Sequence, residues 1–187
     1  MKLIQHFKTI TKHRHEVMKG CFRIGLFRQG LLHDLSKYMP DEFSAGVKYY
    51  QGTRSPNAME REENGFSTAW MHHKGRNKHH YEYWSDFDRK SRTMIPAPMP
   101  TKYVAEMYAD RVAACKVYEK DQYTESSALK YFDKAIDKDL MHEKTRRQLR
   151  ILLNMLATKG EEKTNAYIRK QVLHNDNFFT RLISRLV

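Results

Sequence analysis

The stretch that most constrains this fold is GLLHDLSK, residues 30–37. It places His33 and Asp34 side by side, behind two leucines, with Lys37 three residues after the acid. An unpaired carboxylate is costly to bury, and so is an ionised imidazole. A metal ion bound by both groups would remove that cost. A fold that buries this pair should therefore bring further metal ligands to it.

The composition indicates one globular domain, predicted to span residues 1–187. Apolar residues make up 40 % of the chain and charged residues 30 %. No apolar run is long enough for a transmembrane helix or for the core of a signal peptide. We therefore expect a soluble, cytoplasmic protein with no membrane partner. Cys21 and Cys115 lack metal-finger spacing and are expected to be buried thiols.

The formal net charge of +12 is concentrated at the two ends of the chain. Residues 1–37 contain eight basic and two acidic residues, residues 141–187 contain ten and four, and residues 38–140 contain sixteen of each. If the ends pack together, they form one basic face suited to phosphates, nucleotides or nucleic acid. The alternative is an ordinary solvated surface. The sequence does not indicate an oligomeric state.

The spacing of apolar residues predicts an all-α fold, and no stretch alternates as a β-strand does. A helix start is indicated at Pro40, which two acids follow. Loops are predicted at residues 51–64, where Gly and Pro interrupt the pattern, and at 91–101, which contain three prolines. The predicted helices are residues 2–19, 21–38, 40–50, 66–73, 79–87, 101–120, 125–137, 142–158, 161–173 and 176–186. The second of them is expected to be interrupted or softened near Gly25 and Gly30.

Histidine is abundant, with ten in the chain, and seven of them lie between residues 13 and 80. Imidazole nitrogen and carboxylate oxygen together favour Zn, Mn, Fe, Co or Ni over Ca. Glu106 and Asp110 are four residues apart, so they share one face of a predicted helix. The histidines and these acids are the candidate partners of the His33–Asp34 pair.

Four short sequence motifs stand out: HDLSKY at 33–38, AWMHHK at 69–74, NKHHYEYW at 77–84 and MPTKYVAEM at 99–107. Their order resembles the HD superfamily of metal-dependent phosphohydrolases, and in detail a bacterial and phage branch known only as a domain of unknown function. The resemblance covers about residues 6–120. It implies a helical bundle with a metal site between helices, followed by extra C-terminal helices at about 125–187.

The resemblance also implies a ligand set for one or two divalent transition metal ions. The first ion would be held by His13, His33, Asp34 and Asp110, and a second ion, if one binds, by His73 and His80. If only one ion binds, His73 and His80 would contact phosphate instead.

Helix geometry leaves part of this set open. His13 and His15 point about 200° apart around a helix, so only one can face the site, and the spacing to Val17 favours His13. The members of each adjacent pair, residues 72–73 and 79–80, point about 100° apart. One of each pair is therefore expected to face inward.

The chemistry of such a metal site gives possible catalytic roles to three residues. Asp34 would bridge two ions or accept a proton from water, Lys37 would neutralise a phosphate oxygen, and Glu106 would act as a base or orient a ligand. Contacts to substrate phosphate are expected from Lys37, His72, Lys74, Arg76, Lys78 and His79.

The expected function is a metal-dependent phosphohydrolase that uses metal-activated water on a nucleotide or other small phosphorylated compound. One alternative is an HD-like di-iron oxygenase, which the additional histidines permit. A second alternative is a non-enzymatic protein that binds a nucleotide or nucleic acid through its basic ends.

Overall fold

The structure, a computed structural model, describes residues 1–135 and 140–187, and this part of the chain is all-α apart from one small hairpin. The helices are α1 Lys2–Arg23, α2 Phe27–Leu32, α3 Pro40–Lys48, α4 Pro56–Asn64, α5 Thr68–Arg76, α6 Thr101–Glu119, α7 Ser127–Ala135, α8 Glu143–Lys159, α9 Glu161–Tyr167 and α10 Phe178–Leu186. The antiparallel hairpin pairs β1 Ser85–Asp88 with β2 Thr93–Pro96.

Helix α6 lies at the centre of the core, because its buried residues are spread around the whole helix. It packs against α1 and α8. Gly20 of α1 lies so close to α6 that a Cβ added there would be 3.3 Å from the Cβ of Ala109. This close approach brings the metal-ligand candidates of α1 and α6 together.

The interruption predicted near Gly25 in the helix at 21–38 is confirmed, but the helix continues through Gly30 and ends at Leu32 instead of residue 38. Gly25 adopts a left-handed φ of +81° after α1, and α2 then runs only to Leu32. His33 is extended and Asp34 has a φ of 53°, which also lies in the left-handed region. A short 3-10 turn, Leu35–Tyr38, follows. This irregular backbone turns the side chains of adjacent residues towards one site.

Three further predictions in the middle of the chain are wrong at least in part. Residues 51–64 are not a loop throughout, because α4 begins at Pro56, whose fixed φ suits the first helical position. The predicted helix at 79–87 is instead a turn, a 3-10 segment at Tyr81–Tyr83 and strand β1. The predicted loop at 91–101 contains strand β2.

The C-terminal elements pack back onto the end of α1. Asn175 donates to the carbonyl of Gly25 at 3.1 Å, and Arg23 donates to the carbonyl of Val187 at 2.9 Å. Positions 136 and 137 of the predicted helix at 125–137 lie outside the described residues. Across the parts of the chain that the structure describes, no helix has the length and apolar character needed to span a membrane.

Candidate metal centre

A cluster of histidine and aspartate side chains lies between α1, α5, α6 and the turn that follows α2. Asp34 is at its centre and is 1 % exposed. The side chains around it form two groups, each of which could hold a metal ion: His13, His33, Asp34 and Asp110 in the first, and Asp34, His73, His79 and His80 in the second.

The first group converges on Oδ2 of Asp34. The Nε2 atom of His33 lies 3.3 Å from this oxygen, and that of His13 lies 3.7 Å from it. Asp110 closes the group, with its Oδ1 atom 3.0 Å from His13 Nε2 and 3.5 Å from His33 Nε2. Two carboxylates and two imidazoles thus surround one small space.

The second group converges on the other oxygen of Asp34. The Nε2 atoms of His73 and His79 lie 3.3 Å and 3.4 Å from Oδ1. The ring of His80 lies beside both histidines, with its centroid 4.8 Å from that of His73 and 4.1 Å from that of His79. Asp34 is therefore shared between the two groups, one oxygen to each.

The unsatisfied polar atoms of the cluster fit a bound cation. Among the described residues, neither oxygen of Asp34 has a hydrogen-bond partner of good geometry. The same is true of the Nε2 atoms of His13, His33, His73, His79 and His80. Buried polar groups are normally paired, because an unpaired one costs about 1–3 kcal/mol. A divalent transition metal satisfies both donor types at once.

Glu106 lies behind the two groups and joins them. Its Oε1 atom accepts from Nδ1 of His33 at 3.1 Å and is 3.3 Å from Nδ1 of His79. A carboxylate only accepts hydrogen bonds, so both Nδ1 atoms carry a proton and both Nε2 atoms are directed at Asp34. One glutamate thus orients one histidine from each group.

Glu42 has the same role for the second group. Its carboxylate accepts from Nδ1 of His73 at 2.7 Å and from Nδ1 of His72 at 2.6 Å. The Ser36 hydroxyl and the Asn77 amide lie beside the same nitrogen of His73, at 3.3 Å and 3.1 Å. Sequence reasoning missed these three residues, because nothing separates Glu42 from the acids that ordinarily occupy the first turn of a helix.

The carboxyl pKa values show how strongly the cluster favours negative charge on its acids. Burial alone would raise the pKa of Asp34, but attraction to His33 and Lys37 holds it well below its usual value. Burial also opposes ionisation of Asp110, yet contacts with His13 and His33 keep its pKa well below normal. Both acids are therefore anionic over the physiological pH range.

The imidazole pKa values differ among the histidines of the cluster, even within the first group. Burial would lower the pKa of His33, but attraction to Asp34 and contact with Asp110 raise it well above the usual value. The pKa of His13 is lowered, mainly by burial and then by the charge of Lys37. Burial and the neighbouring His79 and His73 hold the pKa of His80 well below normal, which keeps it in the neutral form that binds metals.

Lys37 supplies a cation at the edge of the cluster. Its Nζ atom lies 2.6 Å from Oδ2 of Asp34, and about a quarter of the side chain, 28 %, is exposed. Burial would lower the pKa of Lys37, but Asp34 and Asp110 raise it above its usual value, so the side chain stays charged. It is placed to contact both the cluster and a molecule that approaches from solvent.

The other residues singled out in the sequence lie apart from Asp34. His15 is exposed on α1, whereas His13 is 7 % exposed. His72 faces Glu42 and Asp41 instead of the cluster. Three basic residues lie next to the histidines of the second group in sequence, and the described part of the chain shows no ion pair between them and the cluster: Lys74, Arg76 and Lys78.

His79 and His80 are both brought to the cluster. Residues 78–80 form a turn, so the 100° separation of adjacent helical residues does not apply to them. His79 is 2 % exposed and contacts Asp34, although the sequence analysis assigned it to substrate.

A family described as Family of unknown function (DUF5662) matches residues 2–155 of the chain. The matched range includes every side chain of the cluster, together with Glu42 and Glu106. Comparison with curated proteins and with solved structures found no match. Because the match covers most of the length of the chain, the chain belongs to the DUF5662 family.

Proposed function

We propose that this protein is a metal-dependent phosphohydrolase of the HD type that acts on a nucleotide or other small phosphorylated compound. The observation that carries the proposal is the position of Asp34, which offers one oxygen to each of two groups of unsatisfied ligand atoms. The order of the ligands along the chain, His13, His33–Asp34 and Asp110, also resembles that of HD phosphohydrolases.

Two metal ions fit the donor set. One would be held by the first group and the other by the second, with Asp34 common to both. Divalent ions in such a site lower the pKa of water and polarise a phosphoryl oxygen. The centre has one lysine and four carboxylates, which belong to Asp34, Asp110, Glu42 and Glu106. Because the carboxylates outnumber the lysine, the protein itself favours a bound cation.

The protein residues have separate tasks in the proposed reaction. Glu106 and Glu42 hold the histidines in one tautomer and orientation, which preserves the ligand geometry as charge develops. Lys37 can turn from Asp34 to an oxygen of the substrate phosphate, because its side chain reaches solvent. Lys74, Arg76 and Lys78 remain candidate phosphate contacts at the rim.

The proposal is tested by turnover on the metal-reconstituted protein. Loading with Mn, Co, Fe, Ni or Zn should give release of inorganic phosphate from at least one member of a panel of nucleotides and small phosphoesters. Asp34→Ala should reduce turnover by roughly a thousandfold or more, since several kcal/mol of charge stabilisation are lost. Asp121→Asn, an exposed acid far along the chain, is the matched control and should leave turnover unchanged.

Two outcomes would replace this proposal by an alternative. Oxygen consumption with an organic substrate and iron, without anaerobic phosphate release, would favour the di-iron oxygenase. Salt-dependent oligonucleotide binding that survives Asp34→Ala, with no turnover, would favour the non-enzymatic nucleic-acid protein.

A further inference from the structure

A small cavity of about 60 Å³ lies between α1, the turn at Leu35–Tyr38, α3, the start of α4 and the end of α6. It is separate from the larger open groove on the other side of α3. The polar residues that line it are mostly uncharged, and they include His6, Thr9, Lys37, Glu42 and Tyr50.

Two residues that line the cavity also contact residues of the candidate metal centre. Lys37 lines the cavity and lies 2.6 Å from Asp34, at the junction of the two ligand groups. Glu42 lines it as well and holds His73 of the second group at 2.7 Å. A molecule whose phosphate reaches the centre past Lys37 would therefore leave its organic part in this cavity.

His6 is the least satisfied polar side chain of the lining. It is 5 % exposed, and its Nδ1 atom has no hydrogen-bond partner among the described residues. Burial and the charge of Lys37 lower its pKa to about 4, so the ring is neutral at physiological pH. The fold leaves room for this ring by placing Gly46 against it, where a Cβ would collide with the imidazole. A buried neutral imidazole with a free nitrogen needs a hydrogen-bonding ligand.

The hydroxyl groups of the cavity are also oriented for a polar ligand. The Thr9 hydroxyl donates to the carbonyl of Gln5 at 2.9 Å and lies 2.8 Å from the Tyr50 hydroxyl. Because Thr9 has one proton and gives it to Gln5, Tyr50 donates to Thr9 and keeps an acceptor position open. The single charges of Lys37 and Glu42 offset each other, which favours a neutral, hydroxyl-bearing group over an anion.

We propose that this cavity binds the hydroxylated carbon atoms next to the ester oxygen of a small aliphatic phosphomonoester. The proposal rests on the proposed function, since the phosphate would lie at the metal centre. At about 60 Å³, the cavity is less than half the size of the roughly 150 Å³ cavity that holds one benzene molecule. That space suits a hydroxymethyl or short polyol segment and is too small for a planar nucleobase.

The test compares two esters of equal length, glycerol 3-phosphate and propyl phosphate, on the zinc-loaded protein. The hydroxylated ester should have a KM about five- to tenfold lower, the effect of one net hydrogen bond. Tyr50→Phe removes the acceptor oxygen and should abolish most of this preference by raising the KM for glycerol 3-phosphate towards that for propyl phosphate. Tyr131→Phe, on the exposed face of α7, is the matched control and should keep the preference.

A binding measurement separates this proposal from the proposed function. Glycerol 3-phosphate should shift the ring resonances of His6 in NMR spectra of the zinc-loaded protein, and propyl phosphate should shift them less. Equal KM values for the two esters and an unmoved His6 signal would overturn the cavity assignment while the phosphohydrolase stands. A His6 shift without turnover of any ester would support the cavity and overturn the phosphohydrolase. If neither a His6 shift nor turnover of any ester is found, the cavity assignment and the phosphohydrolase are both overturned.

Discussion

At the scale of single residues, the backbone conformation of Asp34 determines how its side chain and that of His33 meet at the metal centre. Its left-handed φ of 53° is uncommon for a residue with a side chain, although Asp tolerates this region better than most. The conformation follows the extended His33 and lets the two adjacent side chains approach the same centre. Strain of about 1–3 kcal/mol at such positions is typical of functional sites.

Glu106→Gln should weaken metal binding at both groups at once. The amide keeps the size of the side chain, but the negative charge that accepts from His33 and His79 is lost. Loss of such an orienting carboxylate typically costs about 10–100-fold in metal affinity. Competition with a chromophoric chelator measures this affinity for each ion.

The control for this prediction is Glu63→Gln, which alters an exposed glutamate paired with Lys48. It should leave both affinities unchanged. A Glu106→Gln protein with unaltered affinities, or with a loss at only one group, would contradict the role of Glu106 as a link between the groups.

His6 gives a pH prediction that is independent of the metal. Its pKa is about 4 in the folded protein and 6.5 ordinarily, so between these pH values the unfolded chain takes up a proton that the folded chain does not. The free energy of unfolding therefore falls as the pH drops from 6.5 towards 4. At pH 5 the loss due to His6 is about 1 kcal/mol, because solvent entering the cavity screens part of the effect.

His6→Gln should therefore reduce the acid sensitivity of the metal-free protein by about this amount. Urea unfolding at pH 6.5 and at pH 5 measures the change, and His15→Gln, an exposed histidine of the same helix, is the control. Equal pH dependence in the His6 variant and the wild type would show that the ring is not held in its neutral form.

At the scale of elements, sequence periodicity predicts the helices that carry most of the core. Helices α1, α6 and α8 bury apolar residues at helical spacing, and their predicted positions agree closely with the structure. The hairpin could not be predicted, because its side chains are nearly all exposed and so show no alternating burial. Helix α4 was not predicted, because its many charged residues are also common in loops.

The residues of the candidate metal centre likewise divide into those that the sequence predicts and those that it does not. The pair His33–Asp34 can be singled out from its sequence alone, because it is polar and follows two leucines. The inward position of His79 could not be predicted from the sequence, because it depends on a turn that holds both adjacent histidines near Asp34. The outer carboxylate Glu42 depends on how α3 packs against α5, which a single sequence does not specify.

The junction between α1 and α2 depends on Gly25, which has a φ of +81°. An added Cβ would lie 2.5 Å from Nδ2 of Asn175 and 2.7 Å from Cγ2 of Thr180. Gly25→Ala should therefore lower the free energy of unfolding by roughly 2–3 kcal/mol, the sum of backbone strain and overpacking. Urea denaturation measures it.

Gly65→Ala separates the two causes. Gly65 has the same φ of +81°, but an added Cβ would meet nothing within 4 Å. Its substitution should cost only the backbone strain, roughly 1 kcal/mol. Equal losses for the two variants would mean that the C-terminal segment does not press against the α1–α2 junction.

At the scale of the whole molecule, the chain ends meet, as one of the two interpretations of the charge distribution required. Helix α10 packs against α1. Three basic side chains of these regions are paired with acids, because Arg23 pairs with Glu161, and Arg169 and Arg181 both pair with Asp176. These three side chains are therefore already engaged within the protein.

The family match ends at residue 155, inside α8, so the last helices lie beyond it. These helices are anchored on the end of α1, the helix that carries His13. The prediction of a single domain over residues 1–187 and that of a cytoplasmic location stay predictions. The anchoring suggests that the tail supports the position of α1 at the metal centre.

We propose that Asp34 joins two metal ions, and elemental analysis of the protein purified without chelator decides whether it does. We expect about two equivalents of transition metal per chain, the stoichiometry of two-metal phosphohydrolase sites. Asp34→Ala should lose both ions, whereas Asp121→Asn should retain them. A wild-type protein free of transition metal, and unable to take up any of the five metals, would contradict the account.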